Sequence, residues 1–185
     1  LVLLMNPPTF SPSLLAPKYW PAWLAIGLLW LMAKLPWPVQ RRLGAGLGLL
    51  AWRLVSQRRN DTLINLALCF PELDESARES MGRDTFRNAG IGVFEATNAW
   101  FGNPEYYRSR ITFEGLEHLR AAEARGKGIL LLGAHYSLLD LGAAMASLHF
   151  KVDTVYRPQK NLVFEYVMTL RRQTYHLWSI PCRDM

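Results

Sequence analysis

Apolar positions change rhythm along this 185-residue chain. Tyr19 to Ala33 carries no charge, and Lys34 closes the run. Leu43 to Val55 is a second apolar stretch, interrupted by Arg53, with Gly44, Gly46 and Gly48 weakening its helix propensity. Asn60-Asp61-Thr62 predicts the cap of a helix running to Phe70, where Pro71 stops it. Asp74 predicts the N-cap of the next helix, with Glu75 and Arg78 in its first turns. Met81, Thr85, Phe86, Ala89, Val93, Phe94 and Thr97 would form one face of that helix. Glu95 lies near the stripe and reads as a surface or salt-bridged carboxylate, and Trp100 to Pro104 breaks the pattern.

From residue 110 the rhythm becomes strand–helix–strand. Arg110 to Glu114 is a short strand candidate, Leu116 to Ala124 a helix and Gly126-Lys127-Gly128 a turn. Ile129 to Gly133 is the second strand, read as buried because it is continuously apolar between glycines. Leu138 to Leu148 is a helix of small residues, Val152 to Tyr156 the third strand, and Asn161 to His176 a helix with Phe164, Val167 and Met168 inward. Alternation at these lengths predicts parallel βαβ units and an α/β class. Three regions follow: residues 1–59, a helical region over 60–109, and a partial α/β core over 110–185.

The chemistry concentrates at one junction. His135-Tyr136-Ser137-Leu138-Leu139-Asp140 follows the second strand candidate directly. On one regular helix, positions five apart differ by about 140°, so His135 and Asp140 would diverge. They can meet if His135 lies in the loop before the helix and Asp140 in its first turns. Asp140 could then accept from one ring nitrogen while the other takes a proton from a hydroxyl. A bare H-x-x-x-x-D match is weak, and a structural His and Asp is the competing reading.

Charge is distributed unevenly. The first 60 residues hold Lys18, Lys34, Arg41, Arg42, Arg53, Arg58 and Arg59 and no acidic residue, so they account for the whole net +6. Five of the seven tryptophans fall there too: Trp20, Trp23, Trp30, Trp37 and Trp52. Tryptophan and arginine around apolar stretches mark a membrane interface. A short spanning or re-entrant anchor is favoured slightly over a pair of helices lying in the surface, although the uncharged run is shorter than the roughly 20 residues a span usually needs. Basic residues interleaved with Leu, Trp and Gly do not make a polar groove, so nucleic acid is not the expected partner. Cys69 and Cys182 have no metal-ligand or redox spacing, and Cys69 reads as a packing residue in Leu66 to Phe70.

Several blocks together are more specific than the motif. Pro17-Lys-Tyr-Trp20, Leu35-Pro-Trp-Pro38, Asn65 to Glu72, Phe113 to His118, Gly126 to Gly133, His135 to Asp140, and Val155-Tyr-Arg-Pro158 followed by Asn161 occur in this order. The chain resembles the late lauroyl and myristoyl acyltransferases of lipid A biosynthesis, within the wider H-x-x-x-x-D acyltransferases. The resemblance implies N-terminal membrane-associated helices followed by an incomplete parallel or mixed sheet of the glycerolipid-acyltransferase kind. It also implies acyl transfer from acyl carrier protein to a hydroxyl of a lipid A precursor, with membrane lipids as surroundings and no metal or bound cofactor. His135 would be the base and Asp140 its partner. Arg157 and Asn161 would bind substrate, with Arg157 alternatively a surface ion pair and Asn161 alternatively a helix cap. Localisation would be the bacterial inner membrane, catalytic part towards the cytoplasm. Family members continue well beyond the position of Met185, so a truncated member is expected. A lysophospholipid acyltransferase and a non-catalytic membrane-associated protein are the rival readings.

Overall fold

The computed structural model describes residues 9–134, 136–150, 152–175 and 179–182. Two 3-10 turns, Pro12–Leu15 and Pro17–Tyr19, lead into helix α1 (Trp20–Met32). Then come α2 (Trp37–Leu54), α3 (Ser56–Cys69), α4 (Glu75–Phe101), a 3-10 helix (Pro104–Arg110), α5 (Leu116–Glu123), α6 (Leu139–Ala146), β1 (Thr154–Tyr156), α7 (Leu162–Arg172) and β2 (Ser179–Pro181).

Helix α4, 27 residues long, is the spine on which α1, α2, α3, α6 and α7 pack. Asp74 caps it as its sequence predicts, accepting from the Ala77 amide at 2.7 Å. The buried face matches the predicted one only in part: Phe94 and Thr97 are buried as expected, but the rest of the face is different. Gly82, Gly90, Gly92, Phe94, Glu95, Thr97, Asn98 and Ala99 are buried, whereas Met81 and Val93 are exposed. Glycine is the reason: α2 crosses α4 so closely that backbone, not side chain, fills the contact. A Cβ placed on Gly44 would lie 2.8 Å from the Ile91 Cα, and one on Gly90 would meet the Gly44 carbonyl. Gly44 and Gly48, which weaken α2 as an isolated helix, are thus what its packing requires, and α2 runs unbroken through them and Gly46.

Beside this seam, Gln40 and Asn98 are both buried and exchange amide hydrogen bonds: Asn98 Nδ2 donates to Gln40 Oε1 at 2.7 Å, and Gln40 Nε2 donates to Asn98 Oδ1 at 3.3 Å. Trp52 is buried rather than interfacial, stacked edge-on to Phe86 with centroids 5.2 Å apart. Helix α3 starts at Ser56, so Asn60 to Thr62 lie inside it and cap nothing; Thr62 Oγ1 donates back to the Arg58 carbonyl at 2.9 Å. Cys69 is exposed.

Helix α1 is apolar on every side. Ala22 and Ile26 pack with Leu14, Val163 and Val167, while Trp20, Leu24, Leu28, Trp30 and Leu31 face outward. At about 1.5 Å per residue its 13 residues reach about 20 Å, short of the ~30 Å hydrocarbon layer. Among the described residues no helix is long and apolar enough to cross a membrane, which leaves the expected spanning anchor without support.

The sheet is smaller than the sequence implies. Strand β1 pairs in parallel with β2, Thr154 opposite Ser179 and Tyr156 opposite Pro181, and α7 connects them in one βαβ unit. Neither earlier strand candidate is a strand. Residues 111–114 follow the 3-10 helix, whose start is fixed by Asn103 Oδ1 accepting from the Glu105 amide at 3.0 Å. The run 129–133 has no ladder, and Leu130 and Leu132 are 92% and 97% exposed. An extended apolar segment becomes a strand only when another strand takes its backbone groups. Here a cleft of about 810 Å³ separates Ile129, Leu130, Leu131 and Gly133 from Val152 to Val155.

Candidate active site

The path from residue 129 to α6 carries the predicted chemistry. His135 lies outside the described residues. Its neighbours do not: Tyr136 is exposed, and the Ser137 Cβ approaches Gly92 of α4 so closely that a Cβ there would stand 3.3 Å away. Gly92 therefore seats the turn into α6. Leu141 and Ala144 of α6 then pack with Ala99 and Tyr175, fixing the helix against α4.

Asp140 occupies the first turn of α6, as the sequence geometry requires. Its carboxylate is three-quarters or more enclosed and already engaged. Arg172, at the end of α7, donates to Oδ1 from Nε at 3.1 Å and from Nη2 at 2.7 Å. The Trp100 indole N–H of α4 donates to Oδ2 at 3.2 Å. Both charged side chains are 17–18% exposed, so the pair is well shielded from solvent. Three helices converge on one carboxylate. Beneath it, burial pushes the Tyr175 phenol well above its ordinary range, and the Asp140 charge adds to the shift.

A second carboxylate lies close to the same turn. Glu95 is buried, with 9% exposure, and its Oε2 would be 3.8 Å from a Cβ on Gly92. Among the described residues it has no ion pair, contrary to its reading as a surface or salt-bridged group. Burial raises its pKa above 4.5.

Arg157 follows β1 and is exposed, with no ion pair to another of the described residues. Its segment is held on both sides by Glu165 of α7. Glu165 Oε1 accepts from the Tyr156 hydroxyl at 2.6 Å and Oε2 from the Gln159 amide at 2.7 Å. Asn161 caps α7: its Oδ1 accepts from the Val163 and Phe164 amides at 3.0 and 3.2 Å. The Arg172 guanidinium also lies 5.9 Å from the Tyr156 ring centre, linking the Asp140 cluster to the strand before Arg157.

Arg172, Trp100 and Glu95 have no sequence signal comparable to H-x-x-x-x-D. Arg172 is 32 positions from Asp140 and Trp100 is 40, so only the packing of three helices unites them. Among the described residues no three His, Cys, Asp or Glu side chains could hold a metal ion.

No solved structure matches the chain. Residues 7–184 match the family model described as bacterial lipid A biosynthesis acyltransferase. The chain is 41% identical over 180 residues to the lipid A biosynthesis lauroyltransferase of Escherichia coli, covering 97% of this chain and 59% of that protein. It is 35% identical to the palmitoleoyltransferase of the same organism over 163 residues (88% of this chain, 53% of that protein). The myristoyltransferase is 33% identical over 168 residues (90% and 52%). The chain thus spans between half and three-fifths of the length of these curated relatives. With a family match over almost its whole length and the motif blocks in order, this chain belongs to the bacterial lipid A biosynthesis acyltransferases.

Proposed function

We propose that this chain serves the transfer of a fatty acyl group from acyl carrier protein to a hydroxyl of a lipid A precursor. The observation that carries this reading is the family match over residues 7–184. His135 is the base that removes the hydroxyl proton as the oxygen attacks the thioester carbon. Asp140 orients its imidazole. Arg157 faces the negative charge that develops on the carbonyl oxygen, or a phosphate of the acceptor. The tetrahedral intermediate then collapses with loss of the carrier's thiolate, which takes up the proton. The thioester supplies the driving force, and the reaction calls for no metal.

Residues 1–59 are the membrane-facing region of this reading, at the cytoplasmic face of the bacterial inner membrane. Leu24, Leu28, Leu31, Leu43, Leu47, Leu50 and Leu54 are exposed, and Arg41, Arg42 and Arg53 stand among them on α2. An apolar surface edged by arginine suits helices lying in the headgroup layer. Basic residues also favour docking of an acidic acyl carrier protein.

The test is acyl transfer from acyl-loaded carrier protein with lipid A precursor or lysophosphatidic acid as acceptor, in wild type and His135→Ala. The reading expects transfer to the lipid A precursor, lost on His135→Ala. Preference for lysophosphatidic acid would replace it with the glycerolipid reading. Transfer unaffected by the substitution would remove His135 as base.

A further inference from the structure

We infer that Arg172 is a positioning residue of this site: its guanidinium fork holds Asp140 by Oδ1 and so presents Oδ2 to a second partner. The inference rests on the reading of Asp140 as the orienter of His135.

The geometry divides the two carboxylate oxygens. Oδ1 receives two N–H groups from one guanidinium, at 3.1 and 2.7 Å. A carboxylate oxygen has room for about two strong donors, so Oδ1 is filled. Oδ2 receives the Trp100 indole at 3.2 Å and, among the described residues, has capacity for one more donor. Asp140 sits in the first turn of α6, a few residues after the motif histidine in sequence, and the proposed role of Asp140 assigns Oδ2 to that imidazole.

The anchor is rigid on its own side. Arg172 ends α7, whose Val163, Val167 and Met168 are buried. Its guanidinium also lies over the Tyr156 ring at 5.9 Å, and Tyr175 packs beneath with Ala99, Leu141 and Ala144. Two N–H groups of one planar fork meeting at Oδ1 fix where that oxygen sits, and the Trp100 N–H on Oδ2 sets the tilt of the carboxylate; an ammonium at Oδ1 would fix only a distance. An aspartate that merely joined α6 to α7 would need neither the Trp100 contact nor an oxygen left with spare capacity.

A double-substitution cycle tests this without depending on turnover. The full chain is labelled on its histidine rings, and the His135 midpoint is followed by NMR, assigned with His135→Gln. If Asp140 is the imidazole's partner, Asp140→Asn lowers that midpoint by about 1 pH unit or more. In an Arg172→Gln background the same replacement should move it by less than half as much. Any direct field of Arg172 on the imidazole cancels in the comparison. Equal responses in the two backgrounds overturn the positioning role and leave Arg172 as a structural tie. No response to Asp140→Asn with Arg172 present overturns the His135–Asp140 reading itself, a separate result. Arg172→Lys keeps the charge and removes the fork, and it carries the cycle if the glutamine variant does not fold. The inference expects it to behave as Arg172→Gln does, and a wild-type response would overturn the role of the fork.

Discussion

Replacing Gly48 by alanine should open the α2–α4 seam, while the same change two residues away should tighten α2. A Cβ on Gly48 would stand 2.7 Å from the Phe86 carbonyl carbon and 2.8 Å from the Arg87 Cα, and closer still to the Phe86 oxygen. Ordinary contact begins at 3.4 Å, and the atoms in the way are backbone of a 27-residue helix. No side chain can rotate aside, so the helices must separate along a contact that also includes Gly44 and Gly90. Overpacking of this kind costs about 1–3 kcal/mol, with the upper end expected where backbone meets backbone. Alanine returns about 1 kcal/mol through helix propensity. A net loss of about 2 kcal/mol results, or a fall of about 4–8 °C in melting temperature for a chain of this size. Gly46 has nothing within 4 Å of its Cβ position, so Gly46→Ala should keep the propensity gain alone and raise the melting temperature by about 1–4 °C. The assay is far-UV circular dichroism melting of both variants and wild type in one buffer. Shifts of the same sign and size in the two variants would refute the close-contact argument.

Two further outcomes follow from the site. Burial raises the Glu95 pKa, so the folded chain holds that proton more tightly than the unfolded chain. The resulting stability is complete below 4.5 and is lost as pH rises through the raised value. Glu95→Gln should therefore melt like wild type near pH 4.5 and above it at pH 8; a gain that does not grow with pH would exclude ionisation as the cause. Asn161→Ala should cost about 1 kcal/mol through the lost cap, lowering the melting temperature by about 2–4 °C with little change in KM for the acceptor. A large rise in KM at unchanged stability would instead place Asn161 against substrate.

Helix ends are legible in this sequence wherever one local contact decides them. Asp74 and Asn161 each precede a helix and each cap it with a side-chain oxygen. The placement of Asp140 in the first turn of a helix is legible from the small-residue helical pattern that follows it, not from a cap. What escapes local reading depends on partners distant in sequence. Ile129 to Leu132 has a strand's composition, but a ladder forms only against another strand, and β1 pairs with β2 instead. Glu95 looks like a surface carboxylate until α4 is known to bury its glycine face. The weakening of α2 by its glycines is legible in the sequence, but the use of Gly44 and Gly48 is not, because propensity describes a helix alone and their use lies in contact with α4.

The buried amide pair between α2 and α4 has a consequence of its own. A seam of glycines is permissive: smooth backbone surfaces can slide by a turn and still touch, since nothing projects to interlock. Gln40 and Asn98, 58 positions apart, remove that freedom. A slip of one turn, about 5.4 Å, would part the two amides, leaving the Gln40 oxygen and the Asn98 amide without their mutual bonds while Gln40 Nε2 keeps the Leu35 carbonyl at 2.7 Å; each buried group left unpaired costs about 1–3 kcal/mol. The polar pair thus works as a registry pin for a contact that glycine makes close but leaves unindexed. Because Asn98 lies two residues before Trp100, setting that register also sets the height at which the indole reaches Asp140.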